Sequence, residues 1–362
     1  MKPQRFPKYV LLSILPLIFL SSIACSGVEV GIVDTPTPTA AASEPTPHAT
    51  AADEVTETAV PALPSGWTSY ASENPLLVFD LAFDAERNPW AATDNGIVAW
   101  NLAGGEHTTL TTDDGLIDNQ VRAISIAPDG AVWAGTDFGL ARFDGETWTT
   151  YDVHSGLGDN QVTALAFAPD GTLWIGTRKN LVSYTGDRWA IHTHAAGDVA
   201  ITAVAIGADG TVWATGRGCS GHSASIGGLY RLAGESLSPV THDSPTPAAV
   251  SFAQVVVAPD GAVWATGGSG EVYRLRDGHL TTYTAEDGLV SGIVSDIAVT
   301  ADGSVWVSSA DNGVCRFDGT SWTTYTTADG LISNQVHSVA AASDGSVWFG
   351  AHSGLSRYAP GE

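Results

Sequence analysis

The sequence predicts an all-β fold: a seven-bladed β-propeller of four-stranded antiparallel blades, closed by the N-terminal strand 66–70. The first observation is a tryptophan that recurs at intervals of 43, 41, 39, 51, 42 and 42 residues. A period near 40 residues with several short strands is typical of propeller blades. The second is an Asp-Gly turn that recurs inside the repeats. The third is the lack of long helical periodicity after residue 25. The tryptophans are Trp90, Trp133, Trp174, Trp213, Trp264, Trp306 and Trp348.

Each repeat predicts four strands, A to D. Strand A is the apolar run before Pro-Asp-Gly, such as Val121–Ala127, and strand B carries the tryptophan in "AVWAG". Strand C is "GLARFD" (139–144), and strand D is "TWTTY" (147–151). Asp-Gly supplies the positive φ that a tight hairpin needs between them. The A strands carry apolar residues on both faces, so we expect blades stacked face to face.

The stretch "GWTSY" (66–70) resembles strand D, but no strand A, B or C precedes it. The repeat anchored on Trp348 shows the opposite pattern, with strands A, B and C and no strand D. We therefore predict that 66–70 pairs with strand C of the last repeat and completes the seventh blade. Such closure joins the two ends of the ring and hides sheet edges that would otherwise be exposed.

Three phrases recur nearly unchanged: "GL..NQV" (115–121, 156–162, 330–336), "PDG.VW.GT", and "GL.RFDG..WTTY" (139–151). By these phrases, residues 66–362 resemble the two-component regulator propeller repeat family. The resemblance implies an extracytoplasmic sensor region, a type that is often fused to a histidine kinase. No kinase sequence lies within the 362 residues, so a separate sensor kinase is one expected partner.

The first 65 residues predict export and anchoring. Residues 1–24 combine a basic start with the apolar run "YVLLSILPLIFL" (9–20), which is typical of a signal peptide and short for a membrane span. "SIAC" resembles a lipobox ending at Cys25, although Ser22 stands where that motif usually has leucine, and ordinary signal-peptidase cleavage is the alternative. Residues 25–65 are rich in Thr, Pro and Ala and predict a disordered, lipid-anchored linker. We expect an extracytoplasmic, membrane-anchored lipoprotein of the bacterial cell envelope.

The charge of the chain excludes some partners. The formal net charge is −24, and residues 66–362 contain 33 acidic and 12 basic residues. Such a surface repels phosphate, so we expect no nucleic-acid partner and membrane contact only through the lipid anchor. Cys219 and Cys315 fall in non-adjacent repeats, and we predict no disulfide between them.

Ligand-binding residues are expected on one face of the ring. The D–A and B–C loops share that face around the central channel and vary between repeats, as binding loops on a rigid scaffold do. For the asparagines among the candidates, the alternative is a bond to the backbone of their own crossing loop. The candidates are Asn119, Asn160 and Asn334 in D–A loops, and Asp137, Arg178, Arg217, His222, Asp311 and His352 in or beside B–C loops.

Cofactor and metal motifs are not convincing. "GRGCSGHSASIGG" (216–228) contains a G-x-G-x-x-G pattern, but no βαβ unit surrounds it, so no dinucleotide site is predicted. This long B–C loop is either a ligand loop or an insertion without a role. His192 and His194 could share a metal, but His192 occupies the position of Tyr151 and substitution is the simpler interpretation. We predict no metal and no cofactor.

Three functions compete. The first is a non-catalytic module, sensor-like or scaffolding, that binds a small ligand, a glycan or an envelope protein on its loop face. The second is an enzyme similar to the propeller lyases of the virginiamycin B type, which share "DG..W" repeats. That similarity implies a histidine paired with a carboxylate near the channel, such as His352 or His222 with a neighbouring acid. The third is a purely structural surface protein.

Overall fold

The computed structural model describes residues 66–71, 76–195, 197–218, 228–240 and 252–360. The predictions for the signal peptide 1–24, for Cys25 and the linker 25–65, and for Cys219 and His222 lie outside the described residues. The chain divides into two units, 1–59 and 60–362, and the described residues all belong to the second. Among the described residues, no helix has the length and apolar character needed to cross a membrane.

The described residues form 28 strands in seven four-stranded blades. Blade 1 contains β2 (Val78–Phe83), β3 (Pro89–Thr93), β4 (Gly96–Asn101) and β5 (Glu106–Leu110). Blade 2 contains β6 (Val121–Ile126), β7 (Val132–Thr136), β8 (Leu140–Phe143) and β9 (Trp148–Tyr151). Blade 3 contains β10 (Val162–Phe167), β11 (Leu173–Thr177), β12 (Leu181–Tyr184) and β13 (Trp189–His194). Blades 4 and 5 contain β14 (Val199–Ile206), β15 (Val212–Gly218), β16 (Gly228–Ala233) and β17 (Ser236–Pro239); and β18 (Phe252–Val257), β19 (Val263–Gly267), β20 (Val272–Arg276) and β21 (His279–Tyr283). Blade 6 contains β22 (Val294–Val299), β23 (Val305–Ser309), β24 (Gly313–Phe317) and β25 (Trp322–Tyr325), and blade 7 contains β26 (Val336–Ala341), β27 (Val347–Ala351), β28 (Gly354–Tyr358) and β1 (Trp67–Ala71). Two 3-10 turns, Thr112–Asp114 and Ala285–Asp287, lie in D–A loops.

The blades are arranged as a closed ring. Within each blade the strands pair antiparallel in the order A, B, C, D, and strand A of each blade packs against strand A of the next. The sequence of contacts closes because β26 of blade 7 packs against β2 of blade 1. Seven clusters of buried apolar side chains fill the seven junctions, one between each pair of adjacent blades. The propeller predicted from the repeats is therefore confirmed.

The predicted closure by the N-terminal strand is present. Strand β1 pairs antiparallel with β28, from Trp67 opposite Tyr358 to Ala71 opposite Gly354. The Trp67 side chain is buried, and its ring centroid lies 5.0 Å from that of Tyr358 and 5.6 Å from that of Phe349. Aromatic pairs at these distances add to the free energy of apolar burial. One blade is thus built from two distant parts of the chain.

Blades 3 and 4 are joined in a way that the repeats did not predict. The outer strands β13 and β17 pair in parallel, with Thr193 opposite Ser236, so the two blades form one eight-stranded sheet. Beside this pairing, the His192 ring packs against Trp174 in a tilted arrangement with 5.0 Å between the ring centroids, and its Nε2 lies 2.9 Å from Ser183 Oγ. His192 therefore packs as the tyrosines of other blades do. Within the described ranges, no three His, Cys, Asp or Glu side chains are placed to hold a metal ion, and Cys315 is buried and free.

The face formed by the A–B and C–D turns, here called the turn face, repeats one arrangement. An arginine of strand C lies over the tryptophan of strand B, for example Arg274 at 5.5 Å from the Trp264 ring. The same arginine reaches the aspartate of the A–B turn, with 3.2 Å between Arg274 Nη2 and Asp260 Oδ2. Cation–π contacts of this kind stabilise a fold modestly. The arginine–tryptophan pairs are Arg142/Trp133, Arg231/Trp213, Arg274/Trp264, Arg316/Trp306 and Arg357/Trp348.

Candidate functional site

The face opposite the turn face carries the D–A and B–C loops and is here called the loop face. The innermost strand of each blade, strand A, is irregular where it begins at this face. In six blades, the pairing of strand A with strand B skips one residue near the start of strand A, and in blade 5 it skips Ala253 and Gln254. Bulges re-aim side chains and occur often beside functional sites. We call the single skipped residues the mouth residues, because they surround the end of the central channel. They are Phe79, Arg122, Thr163, Thr202, Ser295 and His337.

Arg122 is the most firmly held mouth residue. Its Nε and Nη2 donate to the two carboxylate oxygens of Asp137 at 3.0 and 2.8 Å, and Nη2 also donates to Gln120 Oε1 at 3.1 Å. The guanidinium lies 5.9 Å from the centre of the Phe79 ring in the neighbouring blade. Bidentate pairing fixes the plane of the guanidinium as well as its position. The predicted candidate Asp137 therefore lies at the mouth, where it orients Arg122.

His337 is the mouth residue of blade 7, and two predicted candidates surround it. Burial lowers the pKa of His337, the nearby His352 lowers it further, and Asp311 acts in the opposite direction. The structure therefore brings Asp311 of blade 6 and His352 of blade 7 to the same side of the mouth. A neutral imidazole offers one donor and one acceptor, so His337 can bond both kinds of ligand group.

The other side of the mouth is built from small hydroxyl groups. Thr163 Oγ1 donates to the Ile201 carbonyl at 2.7 Å, and Thr202 Oγ1 donates to Thr215 Oγ1 at 2.9 Å. The Thr163 contact joins blades 3 and 4, whereas the Thr202 contact lies within blade 4, and both positions carry small side chains. Among the six mouth residues, aromatic, imidazole and guanidinium groups occur on blades 7, 1 and 2 only, so this set of positions is asymmetric around the ring.

Two aspartates lie one residue deeper than the mouth, Asp80 in blade 1 and Asp296 in blade 6. Each carboxylate accepts a hydrogen bond from the backbone N–H of the next residue in its own strand. Each also accepts one from a backbone N–H in strand A of the following blade: Asp80 Oδ2 from Ile124 at 2.9 Å, and Asp296 Oδ2 from Val339 at 2.8 Å. Each carboxylate thus links two inner strands.

The surroundings of these aspartates disfavour ionisation. Desolvation raises the pKa of Asp80 to about 6, although the backbone hydrogen bonds oppose the rise. Desolvation also raises the pKa of Asp296 to about 8, with a further contribution from the charge of Asp80. Two coupled carboxyls with displaced pKa values near one mouth are a common mark of functional sites.

The asparagine candidates hold their own loops. The Oδ1 atoms of Asn119, Asn160 and Asn334 accept from backbone N–H groups seven residues earlier, at 2.8, 2.9 and 2.8 Å. This is the backbone-bonding alternative considered for the repeated Asn. Arg178 and Arg217 are exposed on the loop face beside blades 3 and 4.

Sequence reasoning did not select Phe79, Arg122, His337, Asp80 or Asp296. A usable signal was present, because the phrase "NQV" is followed by Arg122, Thr163 and His337 in its three copies. A position whose residue differs between copies of an otherwise repeated phrase is not needed for the packing that the copies share. The repeat does not reveal the bulge that turns this position toward the mouth.

Clefts also occur on the turn face, between adjacent blades. Their volumes are 300 to 490 Å³, and the described ones are lined by the aspartate, arginine and tryptophan of the repeated arrangement. The cleft between blades 7 and 1 differs because Arg87 enters it and approaches Asp344 at 3.8 Å. Because most of these side chains contact one another, the clefts are mainly features of blade packing.

Solved structures confirm the fold. A streptogramin B lyase matches with a TM-score of 0.65 at 15% identity, over 80% of this chain and 96% of that chain. A catalytically inactive virginiamycin B lyase from Staphylococcus aureus, with quinupristin, matches with a TM-score of 0.64 at 15% identity, over 80% and 98%. The extracellular domain of the one-component system protein BT4673 from B. thetaiotaomicron matches with a TM-score of 0.63 at 15% identity, over 81% of this chain and 40% of that chain. Identities this low carry the fold alone.

Sequence comparison adds the repeat type. No curated protein matches the sequence. The family model of the two component regulator propeller matches residues 156–179, which include the second copy of the "GL..NQV" phrase and strands β10 and β11. The chain is thus a β-propeller that carries the two-component regulator propeller repeat.

Proposed function

We propose that this chain is an extracytoplasmic, lipid-anchored propeller that binds a ligand or partner protein at the channel mouth and acts as a sensor-like or scaffold module without catalysis. The observation that carries the proposal is the set of mouth residues. Six blades share one backbone irregularity, yet the side chains there change from Phe to Arg, Thr, Ser and His. Variation at equivalent backbone positions on a rigid ring is what a recognition surface requires.

The location outside the cytoplasm is supported by two features. The leader 1–24 and Cys25 predict export and lipidation, and the linker 25–65 would hold the propeller away from the membrane. The BT4673 propeller, which shares the fold, is an extracellular domain. Labelling with radioactive palmitate in the native host tests the anchor, because Cys25→Ser should abolish label incorporation.

A ligand screen by thermal shift tests binding, because a ligand that binds only the folded state raises Tm. Wild type is compared with Arg122→Thr and His337→Thr, which introduce the residue that blade 3 carries at this position. We expect a ligand that raises Tm of wild type and fails to raise Tm of the variants. Ile191→Thr on the outer strand β13 is the matched control and should respond as wild type does. A ligand shift that survives both mouth substitutions would contradict the site.

A lyase activity is the second candidate, and one observation favours it. His337 and His352 lie near Asp311 at the mouth of a fold shared with virginiamycin B lyase. A histidine with a lowered pKa can accept a proton near neutral pH. Incubation with quinupristin, followed by liquid chromatography, distinguishes the two functions. Conversion that is lost in His337→Thr would favour the enzyme, and unchanged quinupristin would favour the binding module.

A further inference from the structure

We infer that the loop face docks a basic polypeptide segment with interspersed apolar side chains, an inference that rests on the proposed function and names the partner class. The starting observation is the position of the exposed large apolar residues. Four such side chains occur among the described residues: Phe138 (64% exposed), Ile293 (58%), Ile191 (50%) and Val153 (44%). Three of them, Phe138, Ile293 and Val153, lie in loops of the loop face, and we call these three the apolar contacts.

The apolar contacts replace polar residues of the repeat. Phe138 stands where the B–C loops of blades 1 and 7 have Asn95 and Ser353. Ile293 stands where three D–A loops have glutamine: Gln120, Gln161 and Gln335. Val153 stands where two D–A loops have threonine, Thr112 and Thr327. A partner that covers these side chains would remove apolar surface from water, which favours binding.

The backbone presents these side chains in fixed positions. The Phe138 N–H donates to Thr136 Oγ1 at 3.0 Å, and the Val153 N–H donates to Asn160 Oδ1 at 2.9 Å. The Ile293 carbonyl accepts from the Ala310 N–H at 3.2 Å. Preorganised apolar groups lose little conformational entropy on binding, which favours their use as anchors. Phe138 and Val153 belong to blade 2 and its outgoing loop, whereas Ile293 enters blade 6, so the anchors lie on opposite sides of the mouth.

The charge of the same face defines the chemistry of the partner. Its few cations include Arg122 and Lys179, which bind Asp137 and Asp159 at 2.8 and 3.2 Å. The carboxylates are far more numerous, so the face is negative and attracts a cationic segment. Among the described residues of this face, the acidic ones are Asp94, Asp113, Asp114, Asp118, Asp137, Asp152, Asp159, Asp198, Glu271, Glu286, Asp287, Asp311 and Asp329, and the basic ones are Arg122, Arg178, Lys179 and Arg217.

The turn face lacks this combination. Five of its arginines lie over tryptophans, as Arg274 does while it also pairs with Asp260, and the exposed large apolar residues of the described chain are absent from this face. A second copy of this acidic chain would be repelled from the loop face by like charge. The combination of anchors and carboxylates therefore selects a basic partner.

A peptide-binding experiment tests the inference. A fluorescein-labelled 12-residue peptide of alternating lysine and leucine is titrated with the purified protein at 150 mM NaCl, and a glutamate–leucine peptide serves as the charge control. The double variant Phe138→Asn, Ile293→Gln restores the residues of the repeat, and Ile191→Thr removes the exposed apolar residue that lies off the loop face. Each substitution copies a residue that another blade tolerates, so melting temperatures should stay close to that of wild type.

We expect the lysine–leucine peptide to bind wild type and Ile191→Thr with equal Kd, the double variant to bind at least tenfold more weakly, and the glutamate–leucine peptide not to bind. Absence of binding, or equal binding by the double variant, would overturn the inference. Light scattering that shows a dimer abolished by the double variant would overturn it in favour of a second copy. Failure of this inference is distinguishable from failure of the proposed function. If only the peptide inference is wrong, a small ligand should still raise the Tm of the protein in a way that depends on Arg122 or His337.

Discussion

The two faces of the ring use the same repeat in opposite ways. On the turn face, five blades carry an arginine over a tryptophan, and the A–B turns look alike. On the loop face, one bulged position carries Phe79, Arg122, Thr163 or His337 according to the blade. The comparison indicates that the repeated residues hold the blades together, whereas the residues that differ between blades are available for recognition. Substitutions on the two faces should therefore separate stability from binding.

The largest effect on stability is expected at the ring closure, which supports the packing on both faces. Trp67→Ala removes a buried indole that contacts Tyr358 and Phe349, and loss of a large core side chain costs about 3–5 kcal/mol. Trp322→Ala is the matched control, because Trp322 occupies the same position in blade 6, whose strands are contiguous. Urea denaturation should show a larger loss for Trp67→Ala. Equal losses would mean that strand β1 stabilises the ring no more than the strand D of an ordinary blade does.

A turn-face substitution should lower stability and leave binding unchanged. Arg316 lies 5.7 Å from the Trp306 ring and donates to Ser304 Oγ at 2.9 Å. Loss of these contacts in Arg316→Ala should reduce the free energy of unfolding by about 1–2 kcal/mol. Arg316→Lys keeps the charge and should recover part of the loss. A change in Kd for a mouth ligand would show that the two faces are not independent.

The free energy of unfolding should depend on pH through Asp296, which bridges blades 6 and 7 below the mouth. Its folded-state pKa of about 8 lies above the ordinary value of 3.8, so its contribution to stability is complete below about pH 4 and is lost as the pH rises through 8. Wild type should lose stability between pH 5 and 9, and Asp296→Asn should flatten that slope. Asp80→Asn, with a wild-type pKa of about 6, should alter mainly the lower part of the range. A wild-type stability that rises over pH 5–9 would contradict the assignment.

The smallest effect is expected where the turn face departs from its own pattern. Arg87 has φ of +68° at the position where the other A–B turns have glycine, for example Gly345 with φ of +84°. Arg87→Gly should therefore raise the free energy of unfolding by up to about 1 kcal/mol, since the exposed contact with Asp344 contributes little. Gly345→Arg is the reciprocal control and should lower stability, because the space beyond its Cβ is open and only the backbone conformation resists. A loss of stability in Arg87→Gly would show that the Arg87 side chain stabilises the closure.

The sequence predicted the fold in some detail because the repeat is nearly exact where packing demands it. Tryptophan spacing and Asp-Gly turns located the strands, and "GWTSY" located the closure as strand β1. The parallel pairing of β13 with β17 was missed, because it depends on how two irregular blades approach each other and leaves no pattern in either strand.

The candidate site was predicted only in part. Asp137, Asp311 and His352 were selected from loop variability and do lie at the mouth, beside Arg122 or His337. The mouth residues themselves sit inside strands, where sequence reasoning assigns alternating side chains to the core. A bulge interrupts that alternation, and the register shift that creates it is a property of two strands together.

The pairing of Trp67 with Tyr358 also has a consequence for biogenesis. The first of the described strands to be synthesised, β1, is among the last to find its neighbour, because β28 is made nearly a whole propeller later. Contacts so distant along the chain slow folding and prolong the exposure of unpaired edges. A polypeptide cut short before β28 would leave β1 without its neighbour and the ring open, and we expect such a chain to be a substrate for proteases.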